Sequence, residues 1–288
     1  MKNWVPIECT IGLRFLTEGI MQTVFILTGI AMGVGVIVFM SAMLAGLQAN
    51  FIKRALTSQA HIQIIPPDEV ARPLRSGPGL LEGAIVQRPS QRILSIDQWQ
   101  TVRTAMKARP DVVTVSPTAS GSALAIRGDA ARSITLTGME PELYFQIVRI
   151  PDYIVAGTSN LESDDILVGT ELAKDLGATL GDKLNLSTAN GATRVLTITG
   201  IFDLGNKGAN ARNTFVALRT AQSLLRLIGG VTTLDVTVTD IYAAETIAQD
   251  ISATLPIQAD SWIKTNAQFF TAVRAQQSSN TLIRSFVG

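Results

Sequence analysis

Histidine and cysteine are nearly missing from this chain: its 288 residues hold one of each, His61 and Cys9. Typical zinc and haem sites draw mainly on those two residue types, so such sites have too few ligands here. Carboxylate-only sites for hard cations have no acidic cluster to build on. Cys9 has no internal disulfide partner, and it says little about the redox conditions around the rest of the chain. Charge is scarce as well. Charged residues make up 16 % of the chain, against roughly 25 % in soluble domains. Lys+Arg 24 nearly balance Asp+Glu 23, which provides no clustered positive charge for a nucleic acid. There is no GxxxxGK[ST] phosphate loop and no GxSxG elbow. His61 lies in a strand-like segment with no nucleophile signature, and Asp164–Asp165 and Asp203 read as turn residues. No catalytic, metal or cofactor site is expected, and the chain is read as no enzyme.

The shortage of charge has a local origin. From Gly19 to Ile52 there are 34 residues without one Asp, Glu, Lys or Arg. About 20 apolar residues in helix cross a bilayer core, so this run is long enough to span. A cleaved signal peptide fits poorly, because Glu8 and Glu18 precede the run and the run is too long. As one helix it measures about 50 Å, beyond a core of about 30 Å, so it continues as a stalk toward Lys53 and Arg54. Gly29 and Gly33 form one small-xxx-small pair, and Ala42 and Gly46 a second, the spacing that lets membrane helices approach closely. Thr23, Thr28 and Ser41 can satisfy their hydroxyls on the helix backbone. Flanking charge does not orient the helix, since Lys2 and Arg14 on one side face Lys53 and Arg54 on the other. Pro6–Glu18 reads either as an amphipathic segment lying at the interface or as the wetted start of the same helix.

The remaining residues, about 230, are room for one large domain or two smaller ones. HIQIIP (61–66) reads as a strand stopped by Pro66–Pro67. Residues 67–95 are rich in Pro, Gly, Arg and Ser and read as a long irregular arm. A helix is predicted over 96–108, with Ser95 or Asp97 as a possible cap. Strands are predicted at 112–115, 122–127 and 133–137, and a short helix at 140–148. A second cluster follows: strand 166–169, helix 170–176 stopped by Gly177, strands 183–187 and 194–202, a Gly/Asn loop over 202–212, strand 214–218 and helix 221–228. Strand 233–238 and helix 241–255 come last, before a helical stretch over 266–287. The fold class is α+β: helix 96–108 with its strands and helix 241–255 with strand 233–238 resemble halves of one βαβ-type module. The cluster 166–218 is inserted between them.

Four stretches carry a family resemblance: IGLRFL before the apolar run; ILVGTELAKDLGATLGDKLNL; ITGIFDLGNKGANARNTFVALRTAQSLLRLIGGVTTLDVTVTD; and ADSWIKTNAQFF. Together they resemble the permease subunits of FtsX-like, MacB and LolC–LolE type ABC transporters, over essentially the whole chain. The resemblance implies an N-terminal transmembrane helix followed by an extracytoplasmic mixed α/β porter-like domain split by an inserted, mostly β subdomain. It divides the chain into a cytoplasmic-side segment (1–18), a span and stalk (19–52), a MacB-like periplasmic core domain (53–262) with its insertion at about 140–220, and a stalk (263–288) leading to a second span. It places the protein in a bacterial inner membrane, with the large domain in the periplasm or extracellular space. Implied partners are the bilayer, a cytoplasmic ABC ATPase subunit, a second permease copy or homologue, and a periplasmic adaptor or lipoprotein carrier. The implied function is ATP-driven extraction or export of a lipoprotein, lipid-linked or other envelope substrate. The alternative is a non-transport regulator of the FtsX type. The family's three later spans are missing from this sequence, so the chain by itself is expected not to couple ATP hydrolysis. Loop composition nominates Pro67, Arg72 and Arg75 in the arm, and Asp203, Asn206 and Lys207 in the Gly/Asn loop, for partner contact; plain solvent-facing connections remain the other reading.

Overall fold

The computed structural model describes residues 19–67 and 93–268, with 11, 12, 271 and 278, and gives only the backbone course over 48–58. The chain divides into two compact units, Met1–Arg54 and Ala55–Gly288. The first is dominated by helix α1 (Ile20–Ser58). Its segment Ile20–Leu47, 28 residues, has no buried share, and it exposes large apolar side chains such as Phe25 and Met32. That length, about 42 Å at 1.5 Å per residue, exceeds a bilayer core. Thr28 Oγ1 donates to Val24 O at 2.7 Å, as expected for a hydroxyl in this setting, whereas Ser41 Oγ has no partner among the described residues.

The second unit is one continuous sheet with helices packed on it. Its strands are β1 (Ile62–Ile65), β2 (Val112–Arg127), β3 (Ala130–Met139), β4 (Ile154–Gly157), β5 (Asp165–Gly169), β6 (Lys183–Thr188), β7 (Thr193–Phe202), β8 (Asn213–Ala217), β9 (Thr233–Val238) and β10 (Gln258–Ser261). Its helices are α2 (Trp99–Lys107), α3 (Pro141–Ile147), α4 (Thr170–Asp175), α5 (Lys207–Arg212), α6 (Leu218–Leu225), α7 (Ala244–Thr254) and α8 (Trp262–Thr265).

β2 belongs to two structures at once. Its first half pairs antiparallel with β9 up to Thr118–Thr233. From Thr118 onward it pairs with β3, and residues 123–126 also pair with β6. Pro117, which has no N–H to donate, stands just before this exchange of partners. The first half therefore extends an open sheet ordered β10-β1-β9-β2. The second half closes a six-stranded barrel, β2-β3-β8-β5-β7-β6 and back to β2. Closure removes the free edges that such short strands otherwise expose. Ala125, Leu136, Leu184, Leu186, Leu196 and Val216 are fully buried along its strands. A second core lies where α3 meets the barrel: Met139, Ile150, Leu167, Phe202 and Phe215 cluster there, with Tyr144 packed against them. The Phe202 and Phe215 ring centres are 5.3 Å apart.

This is the split α+β architecture expected from the sequence, with β1, β9 and β2 brought together across the insertion. Several local readings change. The strands predicted at 112–115 and 122–127 are one strand. α2 begins at Trp99 rather than 96, because Ile96 is held in a bridge to Val231; its N-cap is Gln98 without a side-chain bond, and Ser95 donates to Asp97 instead. Part of the Gly/Asn loop is helix α5, capped by Asn206 Oδ1 accepting from Ala209 N at 3.2 Å. α6 stops at Leu225, three residues early, where Arg226 turns left-handed with φ 55°. β4 and β10 had no strand signal, because they gain order by pairing with β7 and β1. Gly177, with φ 57°, ends the α4 region as expected.

Candidate functional site

Three features of the second unit are candidates. The first is where the unit's first and last strands meet. β1 and β10 are antiparallel neighbours, with Ile62 opposite Ser261. Trp262 N donates to His61 O at 2.9 Å, and His61 N donates to Val236 O at 3.0 Å. The His61 ring adds a bond: Nδ1 accepts from Val238 N at 3.1 Å. Burial lowers the His61 pKa, against an opposing backbone contact with Val238. His61 is therefore structural, a staple joining the first strand to β9. Ser261 caps α8 by accepting from Lys264 N, and Trp262 Nε1 donates to Ile241 O at 2.8 Å. The start of β1 and the end of β10 thus stand side by side.

The second feature is a polar row across the open sheet. Asp260, Gln63, Asp235 and Ser116 face one another in register across β10, β1, β9 and β2. Asp235 is buried at 6 % exposure. It accepts from Thr118 Oγ1 at 2.6 Å and from Gln63 Nε2 at 3.2 Å. Burial raises its pKa, and the two donors only partly oppose this. Burial and the nearby Asp235 charge also raise the Tyr144 hydroxyl. Ser116 Oγ, fully buried, has no partner among the described residues. α3 packs on β2 and β9 here, and Thr114 Oγ1 donates to Gln146 of α3 at 3.1 Å. Sequence reasoning missed Asp235, because alternation in TLDVTV assigns it to a solvent face.

The third feature is the far end of the sheet. A groove of about 1370 Å³ runs between α2, the start of α3, the 159–165 loop and α6. Trp99, Leu143, Phe145 and Leu161 supply apolar surface, and Glu140, Glu142, Glu162, Asp164 and Asp165 supply carboxylates. Arg103 lies 3.4 Å from Glu140 and 5.8 Å over the Trp99 ring, with its Nε unpartnered among the described residues. A second cavity of about 860 Å³ lies beside it, lined by residues that include Gly121, Leu225, Arg226 and Ile228.

The residues nominated from sequence fall into three situations. Asp203 Oδ1 accepts from Gly205 N at 2.8 Å and Asn210 Nδ2 at 2.7 Å; these bonds hold its carboxyl below the usual range. Asn206 is engaged in capping. Only Lys207 of that trio leaves its side chain exposed without a partner among the described residues. Pro67 is exposed just beyond β1, while Arg72 and Arg75 lie outside the described residues. Gly29, Gly33, Ala42 and Gly46 are exposed along α1, and at the three glycines an added methyl group would meet open space. Among the described residues, no three His, Cys, Asp or Glu side chains are placed to hold a metal.

Comparison with known proteins adds to this geometry. A family model described as the MacB-like periplasmic core domain matches residues 23–254. The chain is 21 % identical over 302 residues to the lipoprotein-releasing system transmembrane protein LolC of Xylella fastidiosa, covering 98 % of this chain and 67 % of that protein. Against the LolC protein of Neisseria meningitidis serogroup B it is 22 % identical over 306 residues, with the same shares of 98 % and 67 %. The chain thus spans about two thirds of these relatives' length. Among solved structures, the periplasmic region of MacB from Actinobacillus actinomycetemcomitans aligns at TM-score 0.47 and 13 % identity, over 76 % of this chain and 95 % of that one. The extracellular domain of the ABC-type transporter YknZ from Gram-positive bacteria aligns at 0.45 and 15 %, over 70 % and 99 %.

Proposed function

The chain belongs to the family of the MacB-like periplasmic core domain, and so to the ABC-transporter permeases of the MacB, FtsX and LolC–LolE type; from that premise we propose that it serves in ATP-driven handling of a lipoprotein or other lipid-linked envelope substrate. It is an inner-membrane protein with α1 as its span and its large domain on the periplasmic side. The matched domain is not catalytic, so a separate cytoplasmic ATPase subunit hydrolyses ATP. The domain receives the resulting motion and acts on substrate already outside the membrane, paired with a second permease copy or homologue.

The observation that carries this reading is the family match over 23–254, which takes in the span and the periplasmic domain together. The side-by-side placement of His61 and Trp262 supports it. A segment arriving from one span and a segment returning toward another then act on the same edge of the sheet. In this scheme 1–18 lies at the cytoplasmic side, 19–52 spans and forms the stalk, 53–262 is periplasmic, and 263–288 leads toward a further span. Gly29, Gly33, Ala42 and Gly46 form the surface on which partner helices pack. Pro67, Arg72, Arg75 and Lys207 contact an adaptor or carrier, with Asp203 and Asn206 shaping the loop behind Lys207.

The test is co-purification from membranes with a candidate ATPase, followed by hydrolysis assays with and without an acylated lipoprotein. Association and substrate-stimulated hydrolysis are the expected result. Stable association without any response to an acylated substrate would sink the lipoprotein reading, and absence of association would sink ATPase coupling.

A further inference from the structure

After α6 the chain makes a tight loop, Arg226–Gly230, before β9. Its backbone is firmly held. Trp99 Nε1 donates to Gly229 O at 2.8 Å, and Gln222 Nε2 donates to Gly230 O at 2.9 Å. Ile96 and Val231 exchange two further bonds at 2.7 and 3.3 Å. Arg226 is the one non-glycine among the described residues with positive φ, at 55°, and Gly229 follows at 72°. Leu227 and Val231 are buried on either side. The side chain this frame presents is Ile228, which is 100 % exposed. Scattered exposed apolar residues are ordinary. A fully exposed isoleucine on a loop fixed by four hydrogen bonds and a left-handed residue differs, because neither sequence nor backbone lets it fold back onto the core.

Its surroundings define a contact surface. The 1370 Å³ groove reaches Gly229 on one side, and the 860 Å³ cavity includes Ile228 on the other. In the groove, Arg103 is paired with Glu140, and Asp164 with Arg194. Asp165 accepts only the N–H of Glu162. Glu142 and Glu162 have no side-chain partner among the described residues, so free negative charge exceeds the single free Arg219 there. On the cavity side Arg226 and Asp97 balance. The loop also stands at the opposite end of β9 from His61. β9 runs from Thr233 beside the loop to Val238 beside His61, a distance of roughly 17 Å at 3.3 Å per residue.

We infer that Ile228 is a preformed anchor for a water-soluble periplasmic protein, which receives it in an apolar pocket bordered by lysine or arginine. Charge complementarity selects this occupant: the groove attracts a basic surface and repels anionic lipid headgroups. The inference rests on the permease reading only for the compartment in which the partner is met. Rigid presentation lowers the ordering cost of association, which is how a single apolar anchor can dominate a contact.

A short Leu/Lys peptide serves as the probe, with a Leu/Glu peptide as its charge control, against the full chain in neutral phosphatidylcholine nanodiscs. Binding of the Leu/Lys peptide is expected to weaken at least tenfold in Ile228→Asp and in Ile228→Ser, and severalfold in Glu142→Lys/Glu162→Lys. The Leu/Glu peptide is expected to bind at least tenfold more weakly than Leu/Lys. Melting should not change in the Ile228 variants, since that side chain touches nothing in the fold. Equal peptide affinity in wild type and Ile228→Asp overturns the inference. So does a variant effect confined to adsorption on phosphatidylglycerol vesicles, or to self-association in sedimentation, since those outcomes assign the anchor to lipid or to a second copy. Association with the ATPase does not involve Ile228, so its failure in the wild-type chain counts against the permease reading alone.

Discussion

Replacing Asp235 with asparagine isolates what a buried carboxyl does to this fold. Asp235 is nearly inaccessible and receives two neutral donors, Thr118 Oγ1 and Gln63 Nε2. No cation is paired with it among the described residues. Burial therefore raises its pKa in the folded state above the unfolded value. A raised carboxyl means that the folded state holds the proton more tightly, so the group's contribution is full below about pH 4 and declines as pH rises through the folded value. The decline is about 1.4 kcal/mol per pH unit within that window. Asparagine keeps the acceptor for Thr118 and removes the ionisation; a flip of the Gln63 amide lets its oxygen accept from the new NH₂. The Asp235→Asn chain should thus match wild type in acid and gain on it as pH rises, until the curve flattens above the folded pKa. Asp235→Ala should instead lose about 1–3 kcal/mol in acid, because it leaves the buried Thr118 hydroxyl without its acceptor, and that deficit should shrink as pH rises and the wild-type carboxyl ionises. Thermal unfolding of the full chain in detergent, followed by tryptophan fluorescence from pH 3.5 to 7.5, measures both. Asp111, Asp182 and Asp203 are held low by hydrogen bonds and ion pairs and lose stability in acid, but both proteins share them and the difference curve cancels them. Parallel curves for wild type and Asp235→Asn would refute the argument that burial dominates this site.

His61 titrates with the opposite sense. Burial lowers its pKa, so its contribution is complete above about pH 6.5 and is lost as pH falls below that value. Relative to His61→Gln, wild type should weaken by less than about 1.4 kcal/mol per pH unit between pH 6.5 and 5, because the ring is only half-buried; a flat difference curve would show that Val238 does not depend on the neutral ring. At Gly169, a methyl group would stand 2.1 Å from Asn210 O and 2.6 Å from Asn210 Cα, both backbone atoms at α5. Gly169→Ala should cost about 1–3 kcal/mol, a fall in melting temperature of roughly 2–12 °C, and an unchanged melting temperature would mean that α5 yields freely.

How much of this was legible in the sequence differs from element to element. Strands carrying alternating apolar residues, such as Thr233–Val238 and Lys183–Thr188, were readable because one face of each meets a core. Gly177 was readable because a left-handed position after a short helix favours glycine. β10 was not, since Gln258–Ser261 has little apolar content and is ordered by its ladder with β1 and by Ser252 Oγ accepting from Ala259 N at 2.9 Å. The Gly/Asn loop looked like a free contact surface, but Asp203 and Asn210 turn inward on each other, and only their separation of seven residues in sequence hints at it. Ile228 read as the last residue of a helix; the left-handed turn at Arg226 moved it to a loop tip.

What the sequence determined by itself is the membrane span and the alternation of strand and helix, because hydrophobic run length and periodicity are local quantities. The tertiary structure alone decided that β2 is shared between an open sheet and a closed barrel, that Asp235 lies beneath α3, that His61 and Trp262 stand side by side, and that Ile228 stands fully exposed. Each of these depends on pairing or covering between residues far apart in the chain, and no local pattern carries that information.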